Sequence, residues 1–593
     1  MATASVDHAS VTCDLVVGRS SHLRHELHGK GGSAVTTVET RPEPSPTAPE
    51  VVPPERAWPR RALLAAVVLG ILWRLVQWWS NASLWLDEAS IAENIIGRSY
   101  GGLAQPLRFE QGAPVGWLWI ERTLSLLFGS SERALRLWPL LAGVATVFVA
   151  WALARRLLGP VATAAYVAMV ALWPVLVQYS GELKQYSTDT LASALILLFG
   201  LRVVRREHRA RLHLAVAGTA LLWLSHPAVI CLAGVGLFLG VDDLRRRDRP
   251  GIKADLLTAL AWSVTLAVLW KVALADLSHS VVADGWKAGY APSPAHPFAW
   301  AQFVRHETMA LFGIGASWLR LAVSVLLVIG ALRFARRAPG HFALLASVPA
   351  LALIASQLKR YPYIGDRPSL YLVPVFFLWI AAAIPEPAHT IDPGPQDRQT
   401  EPSDDDRSPP LTAGRRSRGN DLAAVVVAIM VVTGIYTTAD AWWLVNPLAT
   451  RHEARPLLRR LAAADDGRTP VYLYRFSGTA YRYYGRRFDL PTPVAAFRLA
   501  DADRRDPAVS RISACRGPLR LDRSRRIWVI YTFPDPLFPG DFGRRINILR
   551  PLGTVRRSLR ERGAAAFEID LAPNAAAHYC RLSPVSEGID ATG

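Results

Sequence analysis

Cysteine is scarce in this chain, with four residues in 593, which excludes a fold held together by many disulfides. Charged residues are also few, at 19% against 51% hydrophobic residues. So low a charged fraction is not typical of a soluble protein of this length. We therefore expect an integral membrane protein.

Several motifs that mark other classes of protein are missing. No glycine-rich phosphate loop joins a strand to a helix, so we expect no soluble nucleotide-binding domain. The stretch RHETM at 305–309 begins like a zinc-binding helix, but Ala310 occupies the position of the second histidine, which rejects zinc hydrolysis. We predict no cofactor, and the sequence leaves a divalent metal open without indicating one.

Long apolar runs are what the chain does contain. About eleven of them have 14 to 23 residues, and we interpret each as a helix that crosses the hydrocarbon of a bilayer. The predicted spans cover residues 62–79, 135–154, 161–178, 187–201, 212–225, 228–241, 256–275, 317–332, 342–356, 369–384 and 422–444.

Arginines account for much of the formal net charge of +19 and cluster in short tracts between these runs. With the N-terminus in the cytoplasm, every tract lies on the cytoplasmic side and the C-terminus lies outside. This pattern predicts a multi-pass plasma-membrane protein and no nucleic-acid partner. The run 114–129 is excluded from the spans because it is short and carries Glu121 and Arg122. We predict that it is an interfacial helix, at a depth that suits Trp117 and Trp119.

The fold class predicted is an α-helical polytopic membrane protein with a small α/β extracytoplasmic domain at the C-terminal end. In the last region residues 451–464 predict a helix, and Cys515 and Cys580 would be able to pair in an oxidising compartment. The predicted strands are 471–474, 527–532 and 566–571. The predicted regions are a disordered cytoplasmic tail (1–60), a transmembrane domain (61–385), a disordered cytoplasmic linker (386–420), the last transmembrane helix (421–444) and the extracytoplasmic domain (445–593).

Two adjacent carboxylates, Asp87 and Glu88, follow the first span in the stretch SLWLDEASIAENIIG. Apolar residues recur after them at helical spacing, so Asp87 would also suit a simple helix cap. The local pattern alone leaves the choice between a cap and a functional carboxylate open.

Two further outer connections carry charge. QYSGELKQYSTD at 178–189 holds Glu182, Lys184 and Tyr186 at a depth where charge is costly unless it is paired or lines a wet cavity. A Glu182–Lys184 ion pair in a hydrated loop is the alternative interpretation. His226, in LSHPA, lies at the outer turn between two spans. A lone histidine beside a proline more often only forms a hydrogen bond at a helix end, which is the alternative interpretation.

The connection QLKRYPYIGDRPSLYLVP at 357–374 places basic residues outside, against the inside bias. Basic side chains among tyrosines at an outer interface suit a lipid phosphate, and snorkelling anchors are the alternative. Asp366 precedes one arginine and offers it a carboxylate. The candidate residues are Lys359, Arg360, Tyr361 and Arg367.

The stretches LWLDEASIAENI, APVGWLWIERTLSLLFGSSERALRLWPLLAG, YSGELKQYSTD and RYPYIGDRPSLYLVP resemble the GT-C superfamily of polyprenyl-phosphate-dependent glycosyltransferases. The branches most similar by pattern are the protein O-mannosyltransferases (glycosyltransferase family 39), the aminoarabinose transferases and the rhizobial lipopolysaccharide transferases. The resemblance covers roughly residues 60 to 490. It implies a sugar donor on a lipid phosphate at the outer leaflet and an acceptor hydroxyl on an envelope glycan, lipid or protein.

The resemblance also implies roles for the candidate residues. Asp87 would deprotonate the acceptor hydroxyl, and Glu88 would orient Asp87 or the acceptor. A second group would bind the substrate or neutralise the leaving phosphate, namely Glu182, Lys184, Tyr186, His226, Lys359, Arg360, Tyr361 and Arg367. The alternative function is a transporter or flippase of a lipid-linked glycan, although such proteins favour internal repeats and charge near the midplane.

Overall fold

A computed structural model describes residues 58–109, 111–274, 289–314, 316–385, 453–474, 477–493, 495–497, 525–532 and 553–573. Several predictions lie outside these residues. They are the tail up to residue 57, the linker 386–420, the last span 422–444, and Cys515 and Cys580.

Most of the described part of residues 58–385 is helical. The helices are α1 (Trp58–Trp79), α2 (Leu86–Gly97), α3 (Val115–Phe128), α4 (Glu132–Leu135), α5 (Leu137–Ala154), α6 (Pro160–Leu172), α7 (Pro174–Ser180), α8 (Tyr186–Val204), α9 (Ala210–Leu224), α10 (Ala228–Arg246), α11 (Arg249–Leu269), α12 (Pro297–Ala310), α13 (Ser317–Arg337), α14 (Pro339–Gln357) and α15 (Val373–Ala382). A short 3-10 turn, Arg367–Leu372, leads into α15.

Six of the described helical segments are long and apolar enough to cross a membrane, which confirms that the chain carries several candidate spans. They are α1, α4 joined to α5, α8, α11 with its extension to Ala273, α13 and α14. A seventh would be α6 with α7, bent by 49°, because Pro174 cannot donate the hydrogen bond that would continue α6. The predicted spans within the described residues lie on helical segments, although 161–178 is divided between α6 and α7 and 369–384 begins in the 3-10 turn before α15. The total of eleven remains a prediction.

The outward faces of these helices are apolar. On α11, Leu256 is 66% exposed and Leu260 is 60% exposed. Side chains of this kind are costly in water but match lipid tails. The large buried cluster inside the helices includes Tyr166, Phe312 and Phe377.

The predicted interfacial helix is α3, and it lies deeper in the protein than its tryptophans suggested. Trp117 is fully buried in a second apolar cluster with residues of α2, so protein encloses its ring. Gly116 permits this close packing, because a Cβ there would lie 2.7 Å from the Trp223 carbonyl oxygen. Trp119 is half-buried and stacks on Trp223 at 5.7 Å between ring centroids.

A five-stranded mixed sheet and two helices form the described C-terminal part. The elements are α16 (Ala454–Ala464), β1 (Val471–Tyr474), α17 (Gly478–Phe488), β2 (Ala495–Phe497), β3 (Arg526–Tyr531), β4 (Gly553–Glu561) and β5 (Ala564–Leu571). The strand order is β2-β1-β3-β5-β4. β1 pairs in parallel with β2 and β3, and β5 pairs antiparallel with β3 and β4. The three predicted strands coincide with β1, β3 and β5.

The C-terminal part packs against the segment between α1 and α3 through α17, which lies on α2. Ile91 and Ile95 of α2 share an apolar cluster with Tyr481 and Tyr484 of α17. α2 is therefore covered by a part of the chain that is remote in sequence, and Asp87 lies in its first turn.

Candidate functional site

Asp87 faces two cations from two other connections between helices. Its Oδ2 accepts a hydrogen bond from Arg367 Nη1 at 2.8 Å and lies 3.9 Å from Lys184 Nζ. The carboxylate is not sealed from solvent, since the side chains of Asp87 and Arg367 are 23% and 21% exposed. The structure thus joins Asp87, Lys184 and Arg367 in one accessible charged group. Asp87 does not cap α2. The N-cap residue is Trp85, and its backbone amide donates to the Glu88 carboxylate.

Arg367 is positioned by its loop and by aromatic rings. Its guanidinium lies 5.5 Å from the Trp85 ring and 5.9 Å from the Tyr186 ring, within range of cation–π attraction. Asp366 accepts the Arg367 amide at 2.7 Å, and its other oxygen lies 3.8 Å from Arg367 Nε. Asp366 therefore contacts Arg367, but Asp87 lies closer to the guanidinium.

Helix α12 supports the loop that carries Arg367. Glu307 accepts a hydrogen bond from the Gly365 amide at 2.6 Å, and Thr308 bonds the Tyr363 hydroxyl at 2.6 Å. A Cβ at position 365 would collide with Ala310, so only glycine fits there. The RHETM stretch, rejected as a zinc motif, thus has a structural use in this fold.

Lys184 lies in the tight connection between α7 and α8. Its Nζ donates to Gln111 Oε1 at 2.7 Å, and the side chain is only 6% exposed. Burial lowers the pKa of Lys184 to about 8, although the nearby Asp87 carboxylate favours the charged form. Among the described residues, the Lys184 ammonium contacts Gln111 and Asp87. It does not form the ion pair with Glu182 that was the alternative interpretation.

Glu88 lies in a different environment from Asp87. Arg136 donates to both of its carboxylate oxygens, from Nε at 2.8 Å and from Nη2 at 2.6 Å. The Leu183 amide donates to Oε1 at 2.7 Å and the Trp85 amide to Oε2 at 3.2 Å. With side chains 1% and 7% exposed, Glu88 and Arg136 form a buried ion pair. Glu88 thus stabilises the start of α2, and both of its carboxylate oxygens accept hydrogen bonds from the protein.

A second buried carboxylate, Glu132, ties the C-terminal part to the same region. Its Oε1 accepts from Arg455 Nη1 at 2.9 Å and from the Tyr484 hydroxyl at 3.1 Å, and its Oε2 accepts from Arg487 at 3.0 Å. The Tyr484 oxygen also accepts the Leu84 amide at 2.8 Å. Tyr484 therefore bonds the chain three residues before Asp87.

Sequence reasoning did not single out Gln111, Arg136 or Tyr484. A signal existed for Arg136, because it lies in the SSERALRLW stretch at the start of an apolar run, where charge is costly unless paired. Nothing local marks Tyr484, whose partners are 352 and 400 residues away.

The remaining predicted residues are less closely joined to Asp87. Glu182 accepts from Gln178 at 2.6 Å, and the Tyr361 hydroxyl donates to the Pro368 carbonyl at 3.1 Å. Lys359 and Arg360 are exposed at the end of α14 and have no side-chain hydrogen bond or ion pair within the described ranges. The structure does not draw these two cations into the Asp87 group.

His226 and Tyr361 are perturbed by burial. In the turn between α9 and α10, burial lowers the pKa of His226 to about 4, so its ring is neutral at physiological pH. Burial raises the pKa of Tyr361 well above its usual range, so it remains a hydroxyl. In the part of the chain that the structure describes, no group of three or more acidic, histidine or cysteine side chains is arranged to hold a metal ion.

Residues 112–270 match the model of the dolichyl-phosphate-mannose-protein mannosyltransferase family. This match confirms the resemblance to the GT-C glycosyltransferases over that part of the chain, which includes Lys184 and His226. No curated protein matches the sequence.

Three solved structures are similar to this chain. ArnT from Cupriavidus metallidurans in the apo state is 16% identical, with a TM-score of 0.41, over 88% of this chain and 99% of ArnT. ArnT from the same organism bound to undecaprenyl phosphate is 14% identical, with a TM-score of 0.42, over 86% and 98%. The archaeal oligosaccharyltransferase AglB from Archaeoglobus fulgidus, in complex with an inhibitory peptide and a dolichol-phosphate, is 12% identical, with a TM-score of 0.42, over 73% and 63%.

Proposed function

We propose that this protein is a membrane glycosyltransferase that moves a sugar from a polyprenyl-phosphate donor to an acceptor hydroxyl on the outer face of the plasma membrane. The acceptor class is an envelope glycan, lipid or protein. The N-terminus is cytoplasmic and the C-terminal domain, residues 445–593, is extracytoplasmic. The observation that carries the proposal is the accessible group in which Asp87 meets Arg367 at 2.8 Å and Lys184 at 3.9 Å.

The two cations suit the leaving group of this reaction. A polyprenyl-phosphate sugar carries one negative charge on its phosphate, and the departing phosphate carries a second. Arg367 offers a planar fork for phosphate oxygens, and Lys184 adds a compact charge. Fixed cations that face a developing anion lower the barrier, because they are already oriented when the charge appears.

Asp87 suits the role of general base. In the substrate-free arrangement its carboxylate is paired with Arg367. A phosphate bound to Arg367 takes over that partner, which leaves the carboxylate to accept the proton of the acceptor hydroxyl. The acceptor oxygen then forms a bond to the anomeric carbon while the bond from that carbon to the phosphate oxygen breaks, through an oxocarbenium-like transition state.

The transporter alternative has no specific observation in its favour. Asp87, Lys184 and Arg367 come from connections or first turns at helix ends, whereas transport sites lie near the midplane between repeats.

The test is transfer of labelled sugar from a panel of polyprenyl-phosphate sugars, including mannose, by purified full-length protein in lipid with envelope fractions as acceptors. Asp87→Asn should lower transfer by about 100-fold to 10,000-fold, the usual contribution of a general base. Asp366→Asn is the matched control, because it removes the other carboxylate beside Arg367 and should leave the rate within about threefold.

If the Asp87→Asn variant transferred sugar at the wild-type rate, the assignment of Asp87 as the general base would be overturned. Binding of the lipid without transfer by any of the three proteins would favour the flippase alternative.

A further inference from the structure

Four arginines form a basic surface where the first outer loop meets α17. Arg486 Nη2 lies 3.2 Å from Glu93 Oε2, and Arg482 Nε lies 4.0 Å from the same oxygen. Arg108 is close enough to act electrostatically on both Glu93 and Arg98. Within the described residues, three arginines thus act on the Glu93 carboxylate, and Arg98 lies near Arg108. We call this set, Arg98, Arg108, Arg482 and Arg486, the arginine surface.

The arginine surface is open to solvent yet held in place. The Arg486 side chain is 58% exposed, and Arg108 is exposed as well. The Arg108 main chain is bonded on both sides by Asn94, which accepts its amide at 2.8 Å and donates to its carbonyl at 3.1 Å. The Arg482 guanidinium lies 5.4 Å over the Phe109 ring. Such preorganised guanidinium groups recognise carboxylates and phosphates in a fixed geometry.

Among the described residues, Glu93 is the carboxylate that contacts these arginines, and they outnumber it. Its side chain is only 5% exposed and, even when ionised, it offsets one of the four positive charges. The surface therefore retains an excess of positive charge available to a ligand.

A short chain of contacts leads from the arginine surface to the Asp87 group. Phe109, under Arg482, accepts a hydrogen bond at its carbonyl from Gln111 Nε2 at 3.1 Å. The other end of the same amide, Gln111 Oε1, accepts from Lys184 Nζ at 2.7 Å, and Lys184 lies 3.9 Å from Asp87. The arginine surface and the Asp87 group are therefore neighbours, joined through Phe109, Gln111 and Lys184.

We propose that the arginine surface binds the acceptor and that the acceptor is a glycan bearing carboxylate or phosphate groups; this inference rests on the proposed function. An anionic glycan is favoured over an anionic lipid because Arg482 and Arg486 belong to α17, in the part of the chain built around the β-sheet, and not to an apolar helix.

The test is binding of a fluorescent oligogalacturonate hexamer to the full-length protein in phosphatidylcholine nanodiscs, with neutral maltohexaose for comparison. Wild type should bind the acidic hexamer and not the neutral one, and added salt should weaken the binding. The double variant Arg108→Ser with Arg486→Ser should weaken it about tenfold, from two exposed charge contacts. The double variant Arg557→Ser with Arg560→Ser removes the same charge from β4 and should bind like wild type.

Equal binding of the two hexamers, or an equal loss in both double variants, would overturn the proposal. The proposal would also be overturned if the Arg108 and Arg486 variant bound the hexamer like wild type but bound phosphatidylglycerol nanodiscs more weakly than wild type. The arginine surface would then be a lipid contact. A separate arm measures binding of polyprenyl phosphate, which the Arg108 and Arg486 variant should retain and Arg367→Gln should lose. Failure of wild type in that arm would count against the proposed function, whatever the hexamer does.

Discussion

The Asp87–Arg367 pair and the Glu88–Arg136 pair are made of the same components, a carboxylate and an arginine with atoms 2.8 Å apart, yet the two pairs differ in burial. Asp87 and Arg367 are 23% and 21% exposed, whereas Glu88 and Arg136 are 1% and 7% exposed. An accessible pair gains little from its contact and exchanges partners readily. A buried pair is costly to break, because the remaining charge has no solvent to stabilise it.

The comparison shows how two neighbouring carboxylates are suited to different tasks. The site that we propose for a phosphate contains the accessible pair, and the buried pair supports the helix that carries Asp87. Glu132, with Arg455, Arg487 and Tyr484, extends this support into the C-terminal part.

The sharpest way to break the comparison is to neutralise each carboxylate in turn. Glu88→Gln leaves Arg136 buried without its counter-charge and should cost about 3–5 kcal/mol of stability. Asp87→Asn should cost less than about 1 kcal/mol while it removes transfer activity. Thermal unfolding in lipid, with transfer measured per folded molecule, checks both. A stable but inactive Glu88→Gln protein would show that Glu88 acts on the substrate.

Tyr484 tests whether the C-terminal part positions the acidic helix. Tyr484→Phe removes one hydrogen-bond partner from the Leu84 amide and one from Glu132. The free energy of unfolding should fall by about 1–3 kcal/mol. Transfer should fall about tenfold, because α2 is held less firmly. Tyr481→Phe is the matched control, because its hydroxyl bonds the Pro491 carbonyl at 2.8 Å within the C-terminal part. Turnover per folded molecule should fall only in Tyr484→Phe, and an equal fall in both would refute a positioning role.

The smallest effect concerns pH. Lys184, with a pKa of about 8, is charged below that pH and neutral above it. If its charge stabilises the leaving phosphate, transfer should decline as pH rises through about 8, by about fourfold at pH 8.5 relative to neutral pH. Lys184→Arg should abolish this alkaline decline, since arginine stays protonated. Rates measured from pH 6.5 to 9 in both proteins decide the point, and a decline that persists in Lys184→Arg would assign it to another group.

Much of the fold follows from local patterns. The apolar runs within the described residues lie on helical segments, because a backbone in lipid must satisfy its own hydrogen bonds. Six of these segments are long and apolar enough to cross a membrane, and the run 161–178 is divided between two helices. The same patterns misplaced Trp117, whose aromatic character suits an interface, but whose neighbours in the fold bury it completely.

The candidate residues were found with uneven success. Asp87, Lys184 and Arg367 were all singled out from charge at outer helix ends, and the structure brings them together. Lys359 and Arg360 carry the same signal but lie exposed outside that group. Charge at an interface has several possible causes, so sequence position alone does not separate a ligand from a surface anchor.

The sequence by itself determined that the chain has membrane-spanning helices, that an acidic pair follows the first of them, and that the chain resembles lipid-phosphate glycosyltransferases. Only the tertiary structure decided which carboxylate of the pair is accessible. Successive residues on a helix point about 100° apart, since one turn takes 3.6 residues. Asp87 and Glu88 therefore face different surroundings, and those surroundings come from Arg367 and Arg136, which the fold supplies from distant parts of the chain.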